Sequence, residues 1–418
     1  MVKIVVSHPT GNQNVRAAIN GLMKQGALAQ FQTTIATFPG RKLDLISKVG
    51  SLAEFKRRSY HPSLKGVTKT SPARELIRHA VSKMGWKRFV KHETGPFSID
   101  KISRALDKKV ATSLNTLSLQ GLNAVYGYED VAALTFRRAK EKGIHCFYDL
   151  PTGYWRAARK LLEIEKEKWP EWMGTMVGFR DSLEKLQRKD EELSLSDRVF
   201  VASQFTASTL QEYPGTLPPI QIIPYGFPMV SDSHRYEAVG NYEKRPLRLL
   251  FVGKLTQQKG LADLFAALQG LDREVELTLV GHKTGECKPL EEGLKKYRWT
   301  TSLPHDQVLK LMREHDVLVF PSLFDGFGLV ITEAMAQGTP VIASDRSAGP
   351  DLIKHGENGW LMKGGEAQSL RSVIEEILNN RDSIAKVGVA AINSAKQRPW
   401  DVYSTELYEA ISDHMLQQ

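Results

Sequence analysis

Only two cysteines, Cys146 and Cys287, occur in 418 residues. That is too few for a disulfide framework, and their separation has no metal-ligand spacing. Both sit in or beside strand-like segments and read as small buried hydrophobes. No stretch approaches the ~18 consecutive apolar residues of a membrane span. The chain enters a strand-like run at residues 2–7 without the basic, apolar and cleavage regions of a signal peptide, so the expected setting is the cytoplasm. No Asp-x-Asp occurs, which removes the usual metal-chelating pair, and no Gly-x-Gly-x-x-Gly follows the first strand, which excludes a dinucleotide fingerprint. Repeats and low-complexity tracts are absent.

What is present is the composition of a globular protein, 41% hydrophobic and 25% charged, long enough for two or three domains. Charge is unevenly placed. Residues 41–110 hold 18 Lys and Arg against six Asp and Glu, a local +12 in a chain of net +10, so the remainder is slightly acidic. Within this segment, residues 42–58 space Leu45, Ile46, Val49, Leu52 and Phe55 roughly as a helix does, among Lys48, Lys56, Arg57 and Arg58. After Ser71-Pro72, a helix start, Leu76, Ile77, Ala80, Val81, Met84 and Phe89 form a second apolar face ringed by Arg74, Arg78, Lys83, Lys87 and Arg88. Three readings stay open: helices packed on their own domain with a solvated basic rim, an anionic membrane surface, or a soluble polyanion. Nucleic acid is not expected, because no recognition motif accompanies the charge.

Short apolar runs alternate with helix-period segments. The runs fall at 4–6, 34–36, 123–126, 144–148 and 199–201, then at 249–252, 277–280, 317–320 and 341–343. Helical spacing falls at 131–142, 261–268, 307–313 and 329–336. Strands apolar throughout, separated by helices, indicate parallel sheets covered on both faces. Two such series predict an α/β protein of two doubly wound Rossmann-like domains, 1–225 and 226–399, meeting near Pro224-Tyr225-Gly226-Phe227-Pro228. Residues 400–418 read as a terminal amphipathic helix packing back towards the N-terminal domain.

The sharpest local signal runs from Phe320 to Pro340: strand, glycine-bearing loop, helix, glycine stop, proline start. Gly326 and Gly328 let backbone amides approach a ligand at a helix N-terminus, whose dipole suits a phosphate. Asp325 and Glu333, eight positions apart, can face one side of that ligand, and carboxylates accept hydrogen bonds from sugar hydroxyls. The run Asp325-Gly326-Phe327-Gly328-Leu329-Val330, with the following Glu333-Ala334-Met335-Ala336, closely resembles the donor-site signature of family-4 retaining glycosyltransferases, which have the GT-B fold and include glycogen-synthase-like and mannosyltransferase-like enzymes. The family usually has Glu where this chain has Asp325. Gly253-Lys254-Leu255 and Lys259-Gly260 resemble the family's Gly-Arg-Leu…Lys-Gly segment, with Lys254 in place of Arg, a point charge without the bidentate fork. Gly281, ending a strand, and Leu303 fall where the family places a glycine near the nucleotide and the base pocket.

The resemblance implies transfer of a sugar from a UDP- or GDP-linked donor to a hydroxyl of a glycan or a lipid-linked acceptor, with retention of configuration, as in assembly of cell-envelope polysaccharide. It implies that Lys254 and Lys259 hold the diphosphate, Glu333 the ribose and Asp325 the donor sugar. No cofactor and no metal are expected. In the N-terminal half, Gly11 resembles the glycine whose loop reaches the donor phosphate. Asp149 stands where the family carries a histidine close to the transferring sugar. His8, Ser203, Tyr154 and Trp155 are acceptor-side candidates, with helix packing the competing role for the two aromatics and a structural or solvated role for His8. A same-fold epimerase or phosphorylase, and a non-catalytic nucleotide-sugar-binding protein, are the alternatives; the second would bind donor without turnover.

Overall fold

The computed structural model describes residues 1–39, 58–176, 180–230 and 245–417. The helix expected at 42–58, apart from Arg58, and most of the polar stretch 231–245 lie outside the described residues.

Two sheets are built entirely from parallel pairings. The first contains β1 (Ile4–Ser7), β2 (Leu28–Thr33), β3 (Thr68–Thr70), β4 (Ala124–Tyr128), β5 (His145–Leu150), β6 (Arg198–Val201) and β7 (Ile220–Ile222), in the order 3-2-1-4-5-6-7. The second contains β8 (Leu247–Val252), β9 (Val275–Val280), β10 (Arg298–Thr300), β11 (Val317–Phe320), β12 (Val341–Ser344) and β13 (Trp360–Met362), in the order 10-9-8-11-12-13. Both orders reverse beside the first strand, which opens a crevice at the carboxyl ends of the strands.

Each sheet is buried on both faces. One face of the first packs Ile4, Val6 and Tyr126 against Val15, Ile19 and Leu22 of the helix Gln13–Lys24 and Tyr403, Leu407 and Ile411 of the helix Trp400–Leu416. The other packs Val5, Val125 and Cys146 against Leu106, Val110 and Phe136. Two helices meet closely at Gly21, where an added Cβ would lie 2.5 Å from that of Ser404. Cys146 and Cys287 are both buried, and Cys287 precedes the helix Lys288–Lys296 rather than a strand.

The run 34–36, expected as a strand, follows β2 instead. β2 reads Leu-Ala-Gln-Phe-Gln-Thr, and its glutamines hide it from a search for apolar runs. Gln32 is buried because its amide donates to Gln30 (2.7 Å) and to the Ser113 hydroxyl (2.8 Å). β3, β10 and β13 are sheet edges of three residues each, too short to leave a periodicity, and short edges also discourage pairing with other chains.

Among the described residues, three segments carry the chain from one domain into the other. Phe227 bridges Pro399 and donates to the Arg398 carbonyl at 2.8 Å, so the two chain crossings lie side by side. The third is the helix Trp155–Lys168 with the turn Pro170–Thr175. Its far end leaves the first domain: Trp172, 3% exposed, sits in the core of the second domain 5.7 Å from Phe265. Glu165 and Asp263 both accept from the Gln257 amide, at 3.0 and 2.9 Å, and Lys168 pairs with Asp263 at 2.7 Å. Removing a buried indole leaves a cavity. Trp172→Ala should therefore lower unfolding free energy by ~3–5 kcal/mol in urea titration, and a loss below ~1 kcal/mol would place Trp172 outside the core.

Candidate functional site

The loop after β11 is shaped by what glycine permits. Gly328 takes φ 86°, a left-handed conformation that side chains resist, and an added Cβ would lie 2.8 Å from the Phe320 ring. The helix Leu329–Ala336 starts there, and its first amides have no intrahelical partner. At Gly326 an added Cβ would meet the Pro151 carbonyl oxygen at 2.1 Å. The Gly326 carbonyl accepts from the hydroxyls of Ser203 (2.6 Å) and Thr206 (2.9 Å), so the loop is bonded directly to the N-terminal domain. Phe327 is buried against Tyr225, ring centroids 4.9 Å apart.

Lys259 closes the short helix Gln257–Lys259 after β8. Gly260, at φ 75°, lets that turn lie on the Pro321 carbonyl, and the Leu323 amide donates to the Gln258 carbonyl at 2.9 Å. These contacts bring the two sequence motifs together. The Lys259 ammonium is in contact with one oxygen of Asp325 and lies 5.4 Å from the Phe320 ring centre; the other Asp325 oxygen accepts from the Phe327 amide at 3.3 Å. Lys254 is exposed and makes no ion pair among the described residues. Glu333 is half-buried, and desolvation raises its carboxyl above the ordinary value against the opposing pull of His305. Gly253 and Gly281 touch where β8 and β9 end, an added Cβ on Gly281 lying 1.7 Å from the Gly253 carbonyl oxygen. Leu303, half-buried, packs against the core beyond β10.

A cavity of about 270 Å³ lies between the domains. Gln258, Lys259, Phe324, Asp325 and Gly326 form one wall; Glu129, Thr152, Trp155, Arg159, Asp181 and Lys189 form the other. Of the sequence candidates, Lys259, Asp325, Gly326 and Trp155 thus meet in one space. Glu129, Arg159, Asp181 and Lys189 were not singled out in the sequence. Glu129 immediately follows β4, at the carboxyl end of a parallel strand, and Arg159 is four residues after Trp155 on the same helix face; both positions were available as signals.

Four N-terminal expectations change. The Gly11 amide donates to His8 Nδ1 at 2.8 Å and is not free for a phosphate; the missing side chain makes room for the Tyr60 phenol. Asp149 is buried, its carboxylate accepting from the Tyr126 hydroxyl at 2.7 Å, and it does not line the cavity; burial pushes its pKa up to about 7. Tyr154 is buried too, its hydroxyl donating to Asp190 at 2.6 Å, so of these two aromatic candidates Trp155 alone lines the cavity. Ser203 is spent on the Gly326 carbonyl. His8 accepts from the amides of Thr10 and Gly11 at Nδ1, so its proton is on Nε2, and burial, with Arg58 nearby, lowers its pKa to about 3.

A family profile described as "Glycosyl transferases group 1" matches residues 233–395. The amylovoran biosynthesis glycosyltransferase AmsK of Erwinia amylovora is 30% identical over 164 residues, 35% of this chain and 40% of that protein. The chain aligns with about two fifths of the length of the curated relatives it matches first. Among solved structures, sucrose-phosphate synthase from Thermosynechococcus elongatus superposes with a TM-score of 0.66 at 17% identity, covering 100% of both chains. Anabaena HepE in complex with UDP-glucose superposes with a TM-score of 0.60 at 16% identity, covering 99% of this chain and 100% of HepE. The fold is GT-B, and the C-terminal domain resembles that of group 1 glycosyltransferases.

The buried Asp149 gives a pH test. Its folded pKa, about 7, lies above the ordinary 3.8. Between those values the folded protein holds a proton that the unfolded chain has released, so stability falls as pH rises. Asp149→Asn keeps an acceptor for Tyr126 and removes this titration. Urea midpoints from about pH 4 to about pH 7 should fall less steeply than in the wild type. Glu192, pushed up to about 8 chiefly by burial, keeps its own share in both proteins. Equal slopes would contradict the assignment.

Proposed function

We propose that the protein transfers a sugar from a UDP- or GDP-linked donor to a hydroxyl of a glycan or lipid-linked acceptor, retaining anomeric configuration and using no metal. The observation that carries this reading is the meeting of Lys259, Asp325 and Gly326 in one interdomain cavity, within the part of the chain that matches the family profile. Glycosyl transfer builds positive charge on the sugar and negative charge on the departing diphosphate. Lys259, Lys254 and the first amides of the helix Leu329–Ala336 stabilise the diphosphate electrostatically. Asp325 leaves Lys259 for the donor-sugar hydroxyls when the diphosphate takes its place, and Glu333 holds the ribose. Attack comes from the same face, and the leaving phosphate accepts the acceptor's proton. We place the product in a cell-envelope polysaccharide; the relative AmsK is named as a glycosyltransferase of amylovoran biosynthesis.

Incubation with a panel of nucleotide sugars should release nucleoside diphosphate and give a glycosylated product that EDTA does not suppress. Glu333→Ala should reduce turnover by ~10²-fold or more in folded protein. Near-normal rates in that variant, or activity lost with EDTA and restored by Mg²⁺ or Mn²⁺, would overturn the respective assignments.

A second reading concerns location. Among the described residues no helix is long and apolar enough to cross a membrane. The helix Ala73–Lys83, however, buries Val81 and leaves Leu76 (41%), Ile77 (42%) and, just beyond it, Met84 and Trp86 (52% each) exposed, with Arg74, Lys83, Lys87 and Arg88 also exposed around them. Of the apolar face read in the sequence, Val81 packs inward while Leu76, Ile77 and Met84 remain at the surface. We propose that this patch rests on an anionic membrane, placing the enzyme at the cytoplasmic face. The protein should sediment with anionic but not neutral vesicles, and ~0.5 M salt should release it. Failure to sediment with anionic vesicles at low salt would exclude the reading.

A further inference from the structure

The carboxylates of the interdomain cavity are already engaged. Glu129 pairs with Lys189 at 3.3 Å, Asp181 with Lys185 at 3.1 Å and Lys189 at 3.5 Å, and Asp325 with Lys259. The same pairs occupy the two lysines of the cavity. Arg159 differs. It comes from the helix Trp155–Lys168, lines the cavity, and makes no ion pair with a carboxylate among the described residues. One of its amino groups reaches the Asp181 carbonyl oxygen at 3.4 Å, and its guanidinium carbon stands 5.2 Å from the centre of the Trp155 ring, over which Arg156 lies closer, at 4.2 Å. The stack fixes the fork next to an aromatic plane, and most of its five donors remain unspent. A guanidinium so held is suited to bidentate recognition of phosphate or carboxylate.

Position decides which substrate carries that group. The donor's diphosphate and sugar belong, on the reading above, to the wall made by Lys259, Asp325 and Gly326. Trp155 and Arg159 form the facing wall, on the other domain, where the nucleophile must enter. We propose that the acceptor is a sugar or cyclitol unit bearing an anionic substituent, a phosphate or a carboxylate, which Arg159 grips at the wall it shares with Trp155. This deepens the transferase reading and rests on it. Arg159 thereby determines acceptor specificity and takes no part in donor binding.

Binding can be read without turnover. In protein saturated with UDP, or with GDP if that is the diphosphate bound, calorimetric titrations would compare hexose monophosphates, an inositol monophosphate and a uronic acid, each beside its neutral parent. At least one anionic compound should bind ten times or more tightly than its parent. Arg159→Ala and Arg159→Gln should each erase that preference while leaving nucleotide affinity and melting temperature within error of wild type. Where turnover is measurable, the variants should raise the acceptor KM by about tenfold to a hundredfold with little change in donor KM. Equal binding of every pair, a preference that survives in both variants, or anionic compounds that bind only by displacing the nucleotide would overturn the proposal. Failure of the transferase reading has a different signature: neither diphosphate binds, or no nucleotide sugar is consumed.

Discussion

The cleft depends on the close approach of the two domains at Gly326. Its carbonyl is the acceptor for two N-terminal-domain hydroxyls, Ser203 and Thr206, and the absence of a side chain lets Pro151 and Thr152 lie against it. A carbonyl accepting two hydroxyls has both lone pairs used. The same loop then turns through Gly328 into the helix Leu329–Ala336. The backbone that joins the domains therefore continues into the backbone for which we propose an anion-binding role.

Around this junction the chain arranges charge in pairs. Lys259 and Asp325 neutralise each other, and Lys189 with Lys185 does the same for Glu129 and Asp181. Partial burial makes such pairs costly to break by removing one partner, yet a ligand carrying its own charges can exchange with them. A diphosphate competing for Lys259 releases a carboxylate in the same event. Arg159 stands outside this balance, which makes it the informative residue of the facing wall.

Much of this was legible in sequence because doubly covered parallel strands must be apolar throughout. β1, β4, β11 and β12 announce themselves, and the helix Leu329–Ala336 was bounded by its glycines. β2 was missed because side-chain hydrogen bonds pay for two glutamines in an inner strand, a debt invisible without the partner Ser113. The C-terminal half of the cavity was readable because its residues are contiguous in two motifs. The N-terminal half was not: Glu129, Trp155, Arg159 and Lys189 come from separate elements, and only folding brings them together. Asp149, at the end of β5, proved to be buried with its carboxylate bonded to the Tyr126 hydroxyl, and Tyr154, beyond the strand, with its hydroxyl bonded to Asp190 beside Tyr213.

On the proposed function, the cavity beside Gly326 is a nucleotide-sugar donor site whose ligand-free state is held by the Lys259–Asp325 pair. A crystal structure with a non-hydrolysable donor analogue tests it most directly. The account predicts the diphosphate against Lys259 and the amides following Gly328, the Lys259–Asp325 contact opened, and Asp325 hydrogen-bonded to sugar hydroxyls. A diphosphate bound elsewhere, with Lys259 and Asp325 still paired, would contradict it.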